Sequence, residues 1–112
     1  MPADLPALAA RLREARGPNY QLGLDVIAAF VEGDPMLWMR THGDPTASID
    51  SIVALVRKVE PGCQISMFLY EGGAIVSIWR GVTTIAFRVM RPTLPLALCL
   101  ALVEWRIAHG GA

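Results

Sequence analysis

Hydrophobic and polar positions follow two different periods along this chain, and the change of period divides it. Between residues 4 and 59 apolar side chains recur every three or four positions, the spacing that lines one side of a helix. Leu5, Leu8, Leu12 and Ala15 form the first stripe, with Arg11, Arg13, Glu14 and Arg16 set for water and Asp4 placed to cap the helix. Gly17-Pro18 ends it. Asn19 opens a second helix, with Leu22, Val26 and Phe30 on one side and Leu24, Ile27 and Val31 on another. Gly23 costs that helix about 1 kcal/mol relative to alanine, so it predicts close packing at this point. A third helix, capped by Thr46 or Ser48, runs to about Val59 on Ile49, Ile52, Val53 and Val56, with Asp50 in its first turn and Arg57 and Lys58 near its end.

Between the second and third helices, Glu32 to Pro45 is irregular. Gly33-Asp34-Pro35 and Gly43-Asp44-Pro45 both read as turns, because aspartate bonds the backbone ahead of it and proline presets the turn. The apolar run between them, Met36-Leu37-Trp38-Met39-Arg40, predicts a short edge strand or a flap.

After Pro61-Gly62 the period becomes two, predicting antiparallel strands near 64–71, 74–80 and 83–90. Glu71-Gly72-Gly73-Ala74 is a two-residue hairpin signal, and Gly81 marks the next turn. Ile85, Phe87 and Val89 alternate with Thr84, Ala86 and Arg88, so one sheet face is dry. Thr93 then caps a last helix to His109, with Pro95 tolerated in its first turn. Leu96, Leu100, Val103 and Ile107 line one side of this helix, while Leu98, Leu102 and Trp105 line another. Two such sides require cover from the chain's own sheet and another helix, or from a second copy.

The expected architecture is a single α+β domain over residues 1–112, in the order ααα-βββ-α, with a strand near 36–40 as an addition. Helices cover a three- to four-stranded antiparallel sheet, and no parallel βαβ unit appears. A chain of 112 residues can bury about two thirds of its unfolded surface without metal or disulfide support.

Composition adds an assembly argument. The chain is 54% hydrophobic and 18% charged, against about a quarter charged in a typical domain, so part of the apolar surplus is expected at an interface. Ten basic and ten acidic residues cancel, which removes the electrostatic footprint of a general nucleic-acid binder. The remaining route to nucleic acid is a sheet surface with Arg80, Arg88 and Arg91 around Trp79. Cys63 and Cys99 fit no metal or redox spacing and read as reduced thiols. The start of the chain has no export-signal pattern, and the apolar run Leu94–Val103 is too short to span a bilayer, so a cytoplasmic protein is expected.

Candidate chemistry is sparse. Asp34, His42 and Asp44 share one loop, but a metal needs three or four convergent ligands, and turn formation already accounts for the aspartates. Ser48, Ser51, Ser66 and Ser77 have capping or sheet-face explanations, and none lies in a nucleophile motif. His109 complements the negative end of its helix, and no phosphate-cradling glycine motif is present. No cofactor or catalytic residue is expected. Partner binding is expected instead at Met36, Trp38 and Arg40, residue types enriched where proteins meet. A second expected patch is Glu104, Trp105 and Arg106, an aromatic anchor with a polar rim, through which the last helix would form a homodimer.

Three helix-opening segments occur together and in order: Gly17-Pro18-Asn19 followed by Leu22 and Ile27, then Pro45-Thr46-Ala47-Ser48-Ile49-Asp50, then Thr93-Leu94-Pro95-Leu96-Ala97-Leu98-Cys99. In this order and spacing the chain resembles the phage ABA sandwich domain family, small proteins encoded by phages and prophages. The resemblance spans most of the chain and rests on the order of the segments. It implies an α/β/α sandwich, a phage or prophage origin and no established catalytic activity. The expected function is therefore a non-enzymatic accessory protein that binds a host or phage protein, for example an inhibitor of a host defence system. The alternatives are a structural homo-oligomer of the phage or a nucleic-acid-binding protein.

Overall fold

A computed structural model of the protein describes residues 4–79 and the backbone of 87–109, with the side chains of 87–90 and 109 outside the description. The class is α+β. In chain order the elements are α1 (Leu5–Glu14), α2 (Tyr20–Phe30), α3 (Pro35–His42), α4 (Ile49–Val59), β1 (Gln64–Tyr70), β2 (Gly73–Trp79), β3 (Phe87–Arg91) and α5 (Leu94–His109).

The helices begin where side chains can satisfy their free amides. Asp4 accepts from Ala7 N at 3.0 Å, Asn19 from Leu22 N at 2.9 Å, Ser48 from Ser51 N at 3.2 Å and Thr93 from Leu96 N at 3.3 Å. Of the two candidates before α4, Ser48 is the cap. Thr46 has another role: fully buried, it accepts from Asn19 N at 3.0 Å and donates to Asp44 Oδ1 at 2.7 Å. The opening of α2 is thereby tied to the loop before α4. The Cys99 thiol of α5 donates to the Pro45 carbonyl of the same loop at 3.3 Å. All three helix-opening segments singled out in the sequence thus meet around residues 44–46.

The expected strand at 36–40 is instead part of helix α3, so four helices precede the sheet. Asp34 caps α3 by accepting from Met36 N at 2.9 Å, Pro35 takes the first-turn position where its missing N–H costs nothing, and Gly43 ends the helix at φ +94°. The two Gly-Asp-Pro tripeptides here act as the end and the start of helical segments.

The strands form one antiparallel sheet in the order β1-β2-β3. Gly72 takes φ +109° in the β1–β2 turn. The register opposes Ile65 to Ile78, Met67 to Val76 and Leu69 to Ala74 on one face, and Ser66 to Ser77 and Phe68 to Ile75 on the other. The turn expected at Gly81 lies outside the described residues.

Helix α5 packs on β2 and β3, and α1 and α4 pack against α5. Every side chain from Leu96 to Val103 is buried, and β2 contributes Ala74, Val76 and Ile78 to the same core. Burying one large aliphatic side chain in this way stabilises by about 1.5–3 kcal/mol. From Leu96 to Val103, and at Trp105, the apolar sides of α5 are therefore covered within one chain by sheet and helices, while Ile107 near its end stays 37% exposed. Among the described residues the helical layers lie on this one face of the sheet, so the α/β/α sandwich implied by the resemblance does not appear; the opposite face, with Phe68, Ile75 and Ser77, carries no helix.

Candidate functional site

Helix α3 is short, and its one buried side chain is Met39. Trp38 is half-buried against the core, with its ring 3.9 Å from that of His42 one turn later. Anchoring by Met39 and Trp38 turns the neighbouring positions outward. Leu37 is 61% exposed, and Met36 and Arg40 are also at the surface. Tyr20, exposed at the start of α2, donates its hydroxyl to Met36 Sδ at 3.0 Å and extends the surface by one aromatic ring. Beside it runs a shallow groove lined by Val31, Asp34, Leu37, Trp38, Thr41 and His42. Of the residues expected at this patch, Met36 and Arg40 face solvent and Trp38 forms the groove wall; Leu37, between them, is the most exposed apolar side chain of α3.

The second expected patch is not a surface anchor. Trp105 is 2% exposed and belongs to the core. Glu104 pairs with Arg13 of α1, and the Arg106 guanidinium lies 5.4 Å from the centre of the Phe30 ring of α2. These three residues hold α5 to α1 and α2. The correction has a simple cause: the helix side shared by Leu98, Leu102 and Trp105 is covered by the chain itself.

Among the described residues the largest exposed apolar group on the sheet lies on β1, where an alternating pattern does not call for it. Met67, Phe68, Leu69 and Tyr70 are consecutive on β1, and Phe68 and Leu69 are 66% and 72% exposed. Alternation puts Met67 and Leu69 on the α5 side and Phe68 and Tyr70 on the open side. Helix α5 covers β2 and β3 but does not reach the outer half of β1, so both sides of this strand are wet. A shallow hollow lined by Phe68, Leu69, Tyr70, Ile75 and Ser77 continues the apolar surface across the open face. The available signal was the unbroken run of four large apolar residues, which a strand with one dry and one wet face does not need.

No family model, curated protein or solved structure matches this chain. Its local chemistry is therefore the guide to its function.

Asp34 and Asp44 spend their carboxylates on backbone amides, Asp34 on Met36 and Asp44 on Thr46, while His42 stacks on Trp38. Among the described residues no group of three His, Cys, Asp or Glu side chains is placed to share a metal ion. Ser48 is a cap, and Ser51 donates to the Gly43 carbonyl at 2.7 Å. Burial pushes the Cys99 thiol well above its ordinary range, with the Asp44 carboxylate adding to the effect, which makes it a poor nucleophile. Arg91 donates to the Ala15 carbonyl at 2.7 Å, and burial together with nearby Arg16 lowers its pKa. That arginine is a strut between β3 and α1. Arg80 and the side chains of Arg88 and His109 lie outside the described residues. No described helix is long and apolar enough to cross a membrane.

Proposed function

We propose that the protein is a non-enzymatic, phage- or prophage-derived accessory protein that binds a host protein in the host cytoplasm through the outer face of α3. The observation that carries this reading is Leu37, a large apolar side chain 61% exposed on a helix whose neighbours Met39 and Trp38 are already anchored in the core. A rigid apolar knob flanked by Met36, Tyr20 and Arg40, beside a groove with a tryptophan wall, has the composition of an interface centre. Because Asp34 and Gly43 fix both ends of α3, little conformational entropy is lost when a partner docks. The resemblance to small phage proteins supports a host target, and occupation of a host defence factor is the form of inhibition that requires no chemistry from the binder.

The test is capture from host lysate on the immobilised protein, beside a Leu37→Asp variant whose thermal unfolding matches the wild type. A stoichiometric partner retained by the wild type and lost by the variant is expected. No stoichiometric partner, or equal capture by both, overturns the reading. The structural homo-oligomer is favoured by a different observation, the exposed edge of β1.

A further inference from the structure

We propose that β1 is the interface of a symmetric homodimer, in which two copies pair β1 against β1 antiparallel and join their three-stranded sheets into one of six strands. The surface is independent of the α3 face.

A sheet edge offers a row of unpaired N–H and C=O groups, and proteins that remain monomeric protect it with charges, prolines, bulges or a covering element. The two edges of this sheet differ in that respect. β3, five residues long, contains Arg88 and Arg91. β1, seven residues long, has the sequence Gln-Ile-Ser-Met-Phe-Leu-Tyr, with neither charge nor proline. Its register with β2 runs one to one from Gln64 to Tyr70, so no bulge twists the edge away. Among the described residues no helix covers the strand's outer half.

A second copy fits this edge for three reasons. In an antiparallel pair related by a two-fold axis, residues near the axis meet their own kind, which a charged strand would resist and this uncharged one does not. Faces match when each residue pairs with one of the same parity, and the register centred on Met67 uses all seven positions. It opposes Leu69 to the partner's Ile65 on the helix side and Phe68 to the partner's Ser66 on the open side, with the two Phe68 rings diagonal across the axis, within aromatic reach. The area, taken as an upper bound, fits a small and reversible interface. With roughly 200 Å² per open side chain, the exposed parts of Met67, Phe68, Leu69 and Tyr70 come to about 450 Å² per copy. Doubled and joined by backbone, this approaches the ~1,000 Å² that a specific interface requires. The affinity expected at that size is on the order of micromolar.

Sedimentation equilibrium from about 1 to about 200 μM, where mass action moves such a dimer through its midpoint, tests the proposal. The wild type is expected to pass from monomer to dimer. Met67→Lys, which sets two like charges face to face on the axis, is expected to weaken association at least about 100-fold and leave thermal unfolding at low concentration unchanged. Hydrogen exchange provides a readout that needs no variant: protection of the amides of residues 64–70 should rise with wild-type concentration. A wild type that stays monomeric throughout overturns the proposal, as does a dimer that tolerates Met67→Lys with its β1 amides still exchanging at the monomer rate. A monomeric wild type that still captures a partner through Leu37 leaves the α3 reading standing alone, and a β1 dimer that captures nothing does the reverse.

Discussion

Gly23 of α2 and Asp44 of the loop before α4 lie so close that a Cβ on residue 23 would overlap Asp44 Oδ1. That carboxylate cannot step aside freely, because it accepts from both Thr46 N at 2.8 Å and Thr46 Oγ1 at 2.7 Å. Two opposing effects act on Gly23→Ala. Alanine gains about 1 kcal/mol of helix propensity, whereas overpacking costs about 1–3 kcal/mol and here also disturbs a buried hydrogen-bonded loop. The net expectation is a loss of about 1–2 kcal/mol, read as a lower urea midpoint with an unchanged slope.

Thr46 closes the same cluster from its buried position between Asn19 and Asp44. Thr46→Val keeps the shape but removes the hydroxyl, leaving Asn19 N and the Asp44 carboxylate short of a partner, and should cost about 2–3 kcal/mol. Thr46→Ser should recover most of that loss in the same denaturation experiment.

Cys99 gives the folded state an alkaline limit. Its folded pKa is raised by burial, so the folded state is favoured while the thiol is neutral and loses ground as pH rises above about 9, where the unfolded thiol ionises. The wild type should lose up to about 1.4 kcal/mol per pH unit relative to Cys99→Ala, which lacks the group. The difference in unfolding free energy between the two proteins, followed from pH 7 to pH 10 (about one pH unit beyond the ordinary thiol range), checks this. In the native state Cys99 should react with a thiol reagent only at the rate of opening.

Arg91→Ala should detach β3 from the end of α1. The guanidinium donates to the carbonyl of Ala15, which caps the C-terminus of α1, and a hydrogen bond of this charged type contributes about 1.5–3 kcal/mol before solvent screening. A loss of about 1–2 kcal/mol in thermal or urea unfolding is expected, with Arg91→Lys giving only partial recovery because a point charge lacks the fork geometry.

Much of the fold was legible because its signals are local. Asp4, Asn19 and Thr93 each stand where a cap was expected, and the close packing expected at Gly23 is present. Helix α3 is hard to read from sequence because five mostly apolar residues are too short to show a period; its signals are Asp34-Pro35 before the run and Gly43 after it, which serve a helix as well as a turn. The position of Trp105 depends on which neighbour covers which side of α5, and a helix apolar on two sides does not encode that choice. For the same reason the exposure of β1 was hidden, since it follows from where α5 stops across the sheet. Of the expected binding residues, Met36 and Arg40 reached the surface because Met39 set the rotation of α3.

Helix α5 is the element on which the others depend. With Leu96 to Val103 sealed between the sheet and α1 and α4, the earlier helices have no complete apolar surface to rest on until residue 103 is available. The described elements before α5 therefore reach their full burial only together with the segment that organises them. Folding of the earlier helices and of the sheet is thereby coupled to one late rod, around which both layers close together.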